Sequence, residues 1–104
     1  MTFGKKIRKL RESKGILIRE LAALLEVDTA TISKIENGLR HATKKQVNAF
    51  AYELNTDYAK LEALWMGYKI YDMLQDIDNP TDALIVAENQ VIYGKSSFNK
   101  KEIE

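Results

Sequence analysis

The chain has 104 residues, of which 45% are hydrophobic and 30% are charged, and these values are typical of a single globular unit. It contains no cysteine, which excludes disulfides, thiolate metal sites and cysteine nucleophiles and is typical of a reducing compartment. Charge begins at Lys5 without the apolar region of a signal peptide, and no segment approaches the ~20 apolar residues of a membrane span. We therefore expect a cytoplasmic protein that does not contact a membrane.

The net charge of +1 conceals two halves of opposite charge. Residues 1–50 contain eleven Lys and Arg against five Asp and Glu, a net charge of +6, whereas residues 51–104 contain five against ten, a net charge of −5. A basic surface suits a polyanion, and nucleic acid is the usual one. The sequence therefore indicates that the first half binds nucleic acid and that the acidic half has another role.

The first helix is predicted to follow Thr2, which suits an N-cap. Phe3, Ile7 and Leu10 recur at helical spacing, so they should form its buried face. Gly15 suits the end of this helix, because glycine is the commonest C-terminal cap.

Three more short helices are predicted before residue 55. The second covers about residues 18–25 and has so few polar residues that most of it should be buried. Asp28 suits the N-cap of the third helix, and the Asn-Gly pair at residues 37–38 suits its end. Thr43 and Gln46 have the spacing of a capping box, which predicts the start of the fourth helix.

The second half has longer predicted helices. From Asp57 onward, apolar residues recur mostly three or four apart over about five turns, which predicts a long amphipathic helix. Pro80 suits the first position of a sixth helix, which should bury Leu84, Ala87 and Val91. The ten residues after Gly94 show no sustained pattern and are expected to form a flexible tail.

Helices two and three are separated by about three residues, which is the pattern of a helix-turn-helix motif. The third helix carries small or polar residues on its outward side, so it can enter the ~12 Å major groove of DNA, where side chains read base edges. A lysine can donate to guanine, and threonine or alanine methyl groups can contact thymine methyl groups. The predicted base-contacting residues are Thr29, Ala30, Ser33 and Lys34.

The segments IRKLRESKG and ELAALLEVDTATISKIENGLR, together with the spacing between them, resemble the Cro/CI-type (XRE family) helix-turn-helix regulators over residues 4–55. The resemblance implies an all-α fold in which a lambda-repressor-like helix-turn-helix domain carries a C-terminal two-helix extension. It also implies that the third helix lies in the major groove of a palindromic operator in double-stranded DNA.

The same resemblance implies roles for further residues. Arg11 and Glu36 occupy positions where this family often forms a buried ion pair. Leu17 and Ile18 replace the family's Ser-Gln pair, so the cap of helix two must come from elsewhere. Glu26 replaces a frequent glycine and should adopt a positive φ at some energetic cost. The expected phosphate-contacting residues are Asp28, Thr31, Asn37, Leu39, Arg40, Lys44 and Lys45.

The C-terminal half is similar to small regulators found beside restriction–modification genes, through L-x-x-L-W, K-I-Y and A-L-x-V-A-E. Two helices added to a four-helix core have too much apolar surface to bury alone, which favours a homodimer. The alternative is that the aromatic stripe of the long helix forms core within one chain, and both arrangements are compatible. The predicted dimerisation residues are Leu61, Leu64, Trp65, Tyr68, Tyr71, Leu84 and Val91.

The predicted organisation is a DNA-binding domain at residues 1–55, a helical dimerisation extension at residues 56–94 and a tail at residues 95–104. The leading hypothesis is a homodimeric transcriptional regulator that controls restriction–modification genes. The alternative is an antitoxin-like module whose extension binds a partner protein. We expect no enzyme, cofactor, metal site or small-molecule ligand, because the single histidine, His41, and the absence of cysteine leave little for a catalytic site.

Overall fold

The computed structural model describes the backbone of residues 2–103 and the side chains of residues 2–94. This backbone contains six α-helices and no strand, which confirms the all-α prediction. The helices are α1 (Phe3–Ser13), α2 (Ile18–Leu25), α3 (Thr29–Glu36), α4 (Lys44–Glu53), α5 (Tyr58–Met73) and α6 (Pro80–Ile103). No helix of the described chain is long and apolar enough to cross a membrane.

The predicted N-caps are confirmed in α1, α3 and α4. Thr2 accepts a hydrogen bond from a first-turn amide of α1 at 3.2 Å, and Asp28 accepts one from the Thr31 amide at 2.8 Å. Thr43 and Gln46 form a capping box, since each side chain accepts a hydrogen bond from the other residue's amide, at 3.1 and 2.9 Å. These local hydrogen bonds satisfy amides that have no partner within the helix.

Helix α2 begins without a polar N-cap. The Leu17 side chain has no acceptor, but its amide donates to the Glu20 carboxylate at 2.9 Å. Thus half of a capping box remains. Glu26, the C-cap that follows α2, has a φ of 57°, which confirms the predicted positive φ. This left-handed conformation costs roughly 1–2 kcal/mol in a residue with a side chain.

The chain forms two compact units, Met1–Asp72 and Met73–Glu104. The first unit contains one hydrophobic core, to which α1 to α5 all contribute. The core residues are Phe3, Ile7, Leu21, Ala22, Ile32, Ile35, Ala42, Val47, Phe50, Ala51, Leu54, Leu61 and Trp65. This unit thus includes most of α5 as well as residues 1–55.

Burial of α5 side chains bears on the predicted dimer contacts. Leu61 and Trp65 are only 2% and 6% exposed, and Leu64 and Tyr68 are partly buried against the same core. The structure therefore favours the intramolecular alternative for Leu61 and Trp65, because buried side chains offer almost no surface to a second chain. Tyr71 is 59% exposed.

Helix α1 crosses the last turn of α3 at Gly4. A Cβ at Gly4 would overlap the carbonyl oxygen of Ile35 and lie 2.7 Å from that of Glu36. The two backbones can approach this closely only because glycine has no side chain. Gly4, Ile7 and Arg11 are three and four residues apart, so one face of α1 contacts the core and α3.

The second unit contains α6, and its described apolar side chains are largely exposed within one chain. Leu84 and Val91 are 46% and 79% exposed, and Ala87 is also exposed. The predicted burial of these three residues does not occur within one chain, because a unit with a single helix cannot cover an apolar helix face by itself. Leu84 and Val91 stay predicted dimerisation residues. The backbone of α6 continues through residues 95–103 of the predicted tail, whose side chains are not described.

Candidate nucleic-acid interface

Helices α2 and α3 are joined by residues 26–28, as expected for a helix-turn-helix motif. Ile32 and Ile35 hold α3 against the core, since they are 0% and 2% exposed. The opposite side of α3 carries the four predicted base-contacting residues. Thr29, Ala30 and Lys34 are exposed, and Ser33 is half-buried. The structure thus brings these four residues together on one accessible face.

Asp28 and Thr31 interact with each other at the start of α3. The Asp28 carboxylate accepts hydrogen bonds from the Thr31 hydroxyl at 2.6 Å and from its amide at 2.8 Å. These bonds lower the pKa of Asp28, the hydroxyl contributing most, and the charges of Lys34 and Arg40 act in the same direction. Thr31 is buried and commits both donors to the cap. The polar groups of Asp28 and Thr31 are thus engaged in the helix cap, and their predicted phosphate contacts stay a prediction.

Arg11 and Glu36 form a buried bidentate pair that joins α1 to the end of α3. Nε of Arg11 donates to one carboxylate oxygen at 2.7 Å, and Nη2 donates to the other at 3.0 Å. Nη1 donates to the Ile16 carbonyl at 2.9 Å, so the same guanidinium also secures the loop before α2. The hydrogen bonds to Glu36 raise the pKa of Arg11, while burial acts in the opposite direction. Arg11 thus ties the end of α3 to α1 and ties the loop before α2 to the same helix.

The segment after α3 exposes further polar and cationic groups. Gly38 has a φ of 75°, and the Leu39 amide returns to the Lys34 carbonyl at 2.9 Å, so the chain reverses tightly at the helix end. Asn37 lies beside Ser33, with Nδ2 3.4 Å from the hydroxyl. The remaining predicted phosphate-contacting residues, Leu39, Arg40, Lys44 and Lys45, are also exposed. An anion near α3 would therefore meet several accessible cations.

Two contacts between the segment that follows α3 and helix α5 were not predicted from the sequence. Nε1 of Trp65 donates to the carbonyl of Ala42 at 2.7 Å in a buried hydrogen bond. Nε2 of His41 lies 3.1 Å from Oδ2 of Asp72, and the His41 ring packs edge-on against Tyr68. The only sequence signal was the need of a buried tryptophan for an acceptor, which does not specify which carbonyl supplies it.

Comparison with known proteins identifies the family. A family model described as "Helix-turn-helix" matches residues 7–61, which is more than half of the chain. The chain therefore belongs to the helix-turn-helix family, and the XRE-type, lambda-repressor-like prediction is confirmed.

A similar protein is the "Uncharacterized HTH-type transcriptional regulator RghRB" of Bacillus subtilis (strain 168), which is 37% identical over 62 residues. That alignment covers 59% of this chain and 45% of the relative, so the chain spans under half of the relative's length.

Proposed function

We propose that this protein is a sequence-specific transcriptional regulator that binds a palindromic operator in double-stranded DNA as a homodimer. The observation that carries the proposal is the outward face of α3, where Thr29, Ala30, Ser33 and Lys34 lie together on a helix held rigidly by the core. The similarity to a protein named as a transcriptional regulator supports the same proposal.

Small side chains on α3 favour insertion into the major groove. Ala30 and the threonine and serine hydroxyls allow the helix backbone to approach the base edges, whereas bulky residues would hold it away. Lys34 projects a donor from the same face. We therefore assign direct base reading to the face of α3 and backbone contacts to Arg40, Lys44 and Lys45.

The operator for these tests is the sequence enriched when bound duplexes are selected from a random DNA pool. Lys34→Ala is expected to weaken binding to this selected operator by ~1–3 kcal/mol per half-site, with a smaller effect on unrelated DNA, because a base contact carries sequence preference. Arg40→Ala should weaken binding to both DNAs and reduce the slope of log affinity against log salt by about 0.9 for each lost phosphate contact. Titrations of both DNAs at several salt concentrations measure the two effects.

Lys60→Ala is the matched control, since Lys60 is an exposed lysine on α5 that is not among the proposed DNA-contacting residues. It should leave the affinity ratio between operator and unrelated DNA unchanged. Equal losses on both DNAs for Lys34→Ala would contradict the assignment of the α3 face to base reading.

The second unit supplies the surface for the proposed homodimer. Leu84 and Val91 are seven residues apart, and with Ala87 they follow the spacing of one helix face, which is exposed in a single chain. Contiguous apolar surface of this kind is usually covered by a partner. A second copy related by a twofold axis would also match a palindromic operator. In this proposal residues 1–55 bind DNA, and within the predicted extension, residues 56–94, the exposed apolar face of α6 provides dimerisation.

Sedimentation at micromolar concentration is expected to give twice the chain mass of 11.9 kDa. Leu84→Glu combined with Val91→Glu should shift the protein to monomer, because charges in an apolar interface lose their hydration. Tyr52→Glu, at an 82% exposed position on α4, is the control and should remain dimeric. A monomeric wild-type protein would contradict the homodimer and favour the antitoxin-like alternative, in which another protein covers α6.

The regulated genes are a separate part of the hypothesis. Control of restriction–modification genes is supported by the sequence similarity of the C-terminal half alone. Locating the selected operator in the source genome tests it, because the hypothesis requires the operator to lie upstream of such genes.

A further inference from the structure

The segment Gly38–Ala42, here called the post-α3 loop, contacts side chains of α5. The buried hydrogen bond from Trp65 fixes the Ala42 carbonyl at 2.7 Å. The Tyr68 hydroxyl would lie 3.5 Å from a Cβ at Gly38, so the phenol ring reaches the tight turn itself. Trp65 thus holds one end of the loop, and Tyr68 lies beside the other.

The middle of the loop is held by the same face of α5. His41 contacts the Tyr68 ring, with ring centroids 5.8 Å apart, and its Nε2 lies 3.1 Å from the Asp72 carboxylate. The three α5 residues, Trp65, Tyr68 and Asp72, are three and four residues apart, so they form one stripe along the helix. Arg40 lies between the anchored positions and is exposed, with no acidic side chain within 4 Å among the described residues.

We infer that Tyr68 and Asp72 are positioning residues for DNA binding, which act through the post-α3 loop to hold Arg40 toward the phosphate backbone. This inference rests on the proposed DNA-binding function. Loops lose conformational freedom when they bind, and a loop ordered in advance loses less. Ordering one flexible side chain costs an amount equivalent to about 2–12-fold in affinity, so loss of an anchor should have an effect of that size.

Tyr68→Ala tests the ring contact. We expect operator affinity to fall about 3–10-fold, and Tyr68→Phe, which retains the ring against His41, should recover most of the loss. Tyr52→Ala is the matched control, because Tyr52 is an exposed tyrosine on α4. Affinities are compared at a temperature where circular dichroism shows every variant to be folded. Unchanged affinity for Tyr68→Ala would overturn the inference.

Asp72→Ala separates positioning from simple electrostatics. Removing an acidic charge should strengthen binding to DNA if only long-range charge matters. The inference predicts the opposite, a 3–10-fold weaker affinity, because His41 loses its anchor. Asp76→Ala removes an exposed acidic charge outside the loop contacts and should not weaken binding. Stronger or unchanged binding for Asp72→Ala would overturn the inference for this residue.

A double-mutant cycle identifies the route of the effect. If Asp72 acts through Arg40, then Asp72→Ala should cause little further loss in an Arg40→Ala background, since the group that it positions is already absent. Additive losses would show that Asp72 does not act through Arg40 and would overturn the inference. Lys34→Ala in the same assay reports on base reading by α3. If the losses in the cycle are additive but Lys34→Ala still weakens operator binding selectively, the inference is overturned and the proposed function stands.

Discussion

Gly4→Ala is expected to destabilise the protein by ~3 kcal/mol or more, which places it among the most damaging single substitutions in the chain. The added methyl group would meet the backbone carbonyl oxygens of Ile35 and Glu36, and neither can rotate away as a flexible side chain could. Either α1 moves off α3 or the last turn of α3 distorts. Both outcomes disturb the helix that carries the proposed base-contacting face.

Gly67→Ala is a matched control for this prediction. Gly67 lies within α5, and a Cβ there would meet no atom within 4 Å apart from the local backbone of its own helix. Because alanine favours the helix over glycine by ~1 kcal/mol, this variant should be as stable as the wild type or more stable. Urea unfolding measures both changes. A Gly4→Ala protein with wild-type stability would show that α1 and α3 are not in close backbone contact.

Glu36→Ala is expected to cost ~3–5 kcal/mol of folding stability, because it leaves the buried Arg11 cation without its partner. The cation is well shielded from water, since the side chains of Arg11 and Glu36 are only 10% and 3% exposed. Arg11 also donates to the Ile16 carbonyl, so its displacement would loosen the loop before α2. Thermal and urea unfolding should both show the loss.

Glu12→Ala provides the comparison for an exposed pair. Glu12 lies 3.5 Å from Arg8 on the surface of α1, and both side chains are more than half exposed. Such a pair contributes ~0.2–0.5 kcal/mol, so its removal should hardly change stability. Replacing both buried partners, with Arg11→Met and Glu36→Leu, should recover part of the Glu36→Ala loss, because no uncompensated charge remains. Equal effects of Glu36→Ala and Glu12→Ala would contradict a buried pair.

Helix starts were predictable because their chemistry is local. The side chains of Asp28 and Thr43 each accept a hydrogen bond from the amide three positions later in the chain. The sequence signal for each helix start therefore lies in a short stretch of residues. The close approach at Gly4 and the Trp65 bond to Ala42 were not predictable in the same way, because each joins distant parts of the chain. A glycine in the first turn of a helix is a weak hint of such an approach, since glycine is a poor helix former.

The outward face of α3 was also predictable, because helical spacing separates Ile32 and Ile35 from Thr29 and Lys34. The roles of Asp28 and Thr31 were harder to predict, because a threonine at the start of a helix can contact a phosphate or bond to the cap. Helix α6 shows a different limit of prediction from sequence. Its apolar spacing indicates a buried face but does not reveal whether the covering residues belong to the same chain.

Selection of bound duplexes from a random DNA pool, with the wild-type protein and with Lys34→Ala, tests most directly whether α3 reads base sequence. The wild-type protein should enrich a motif with twofold symmetry, since each subunit of a dimer would present one α3 to the major groove. Lys34→Ala should lose preference at one pair of symmetry-related positions and retain the rest of the motif. Enrichment of no motif by the wild-type protein, or of an identical motif by Lys34→Ala, would contradict base reading through this face of α3.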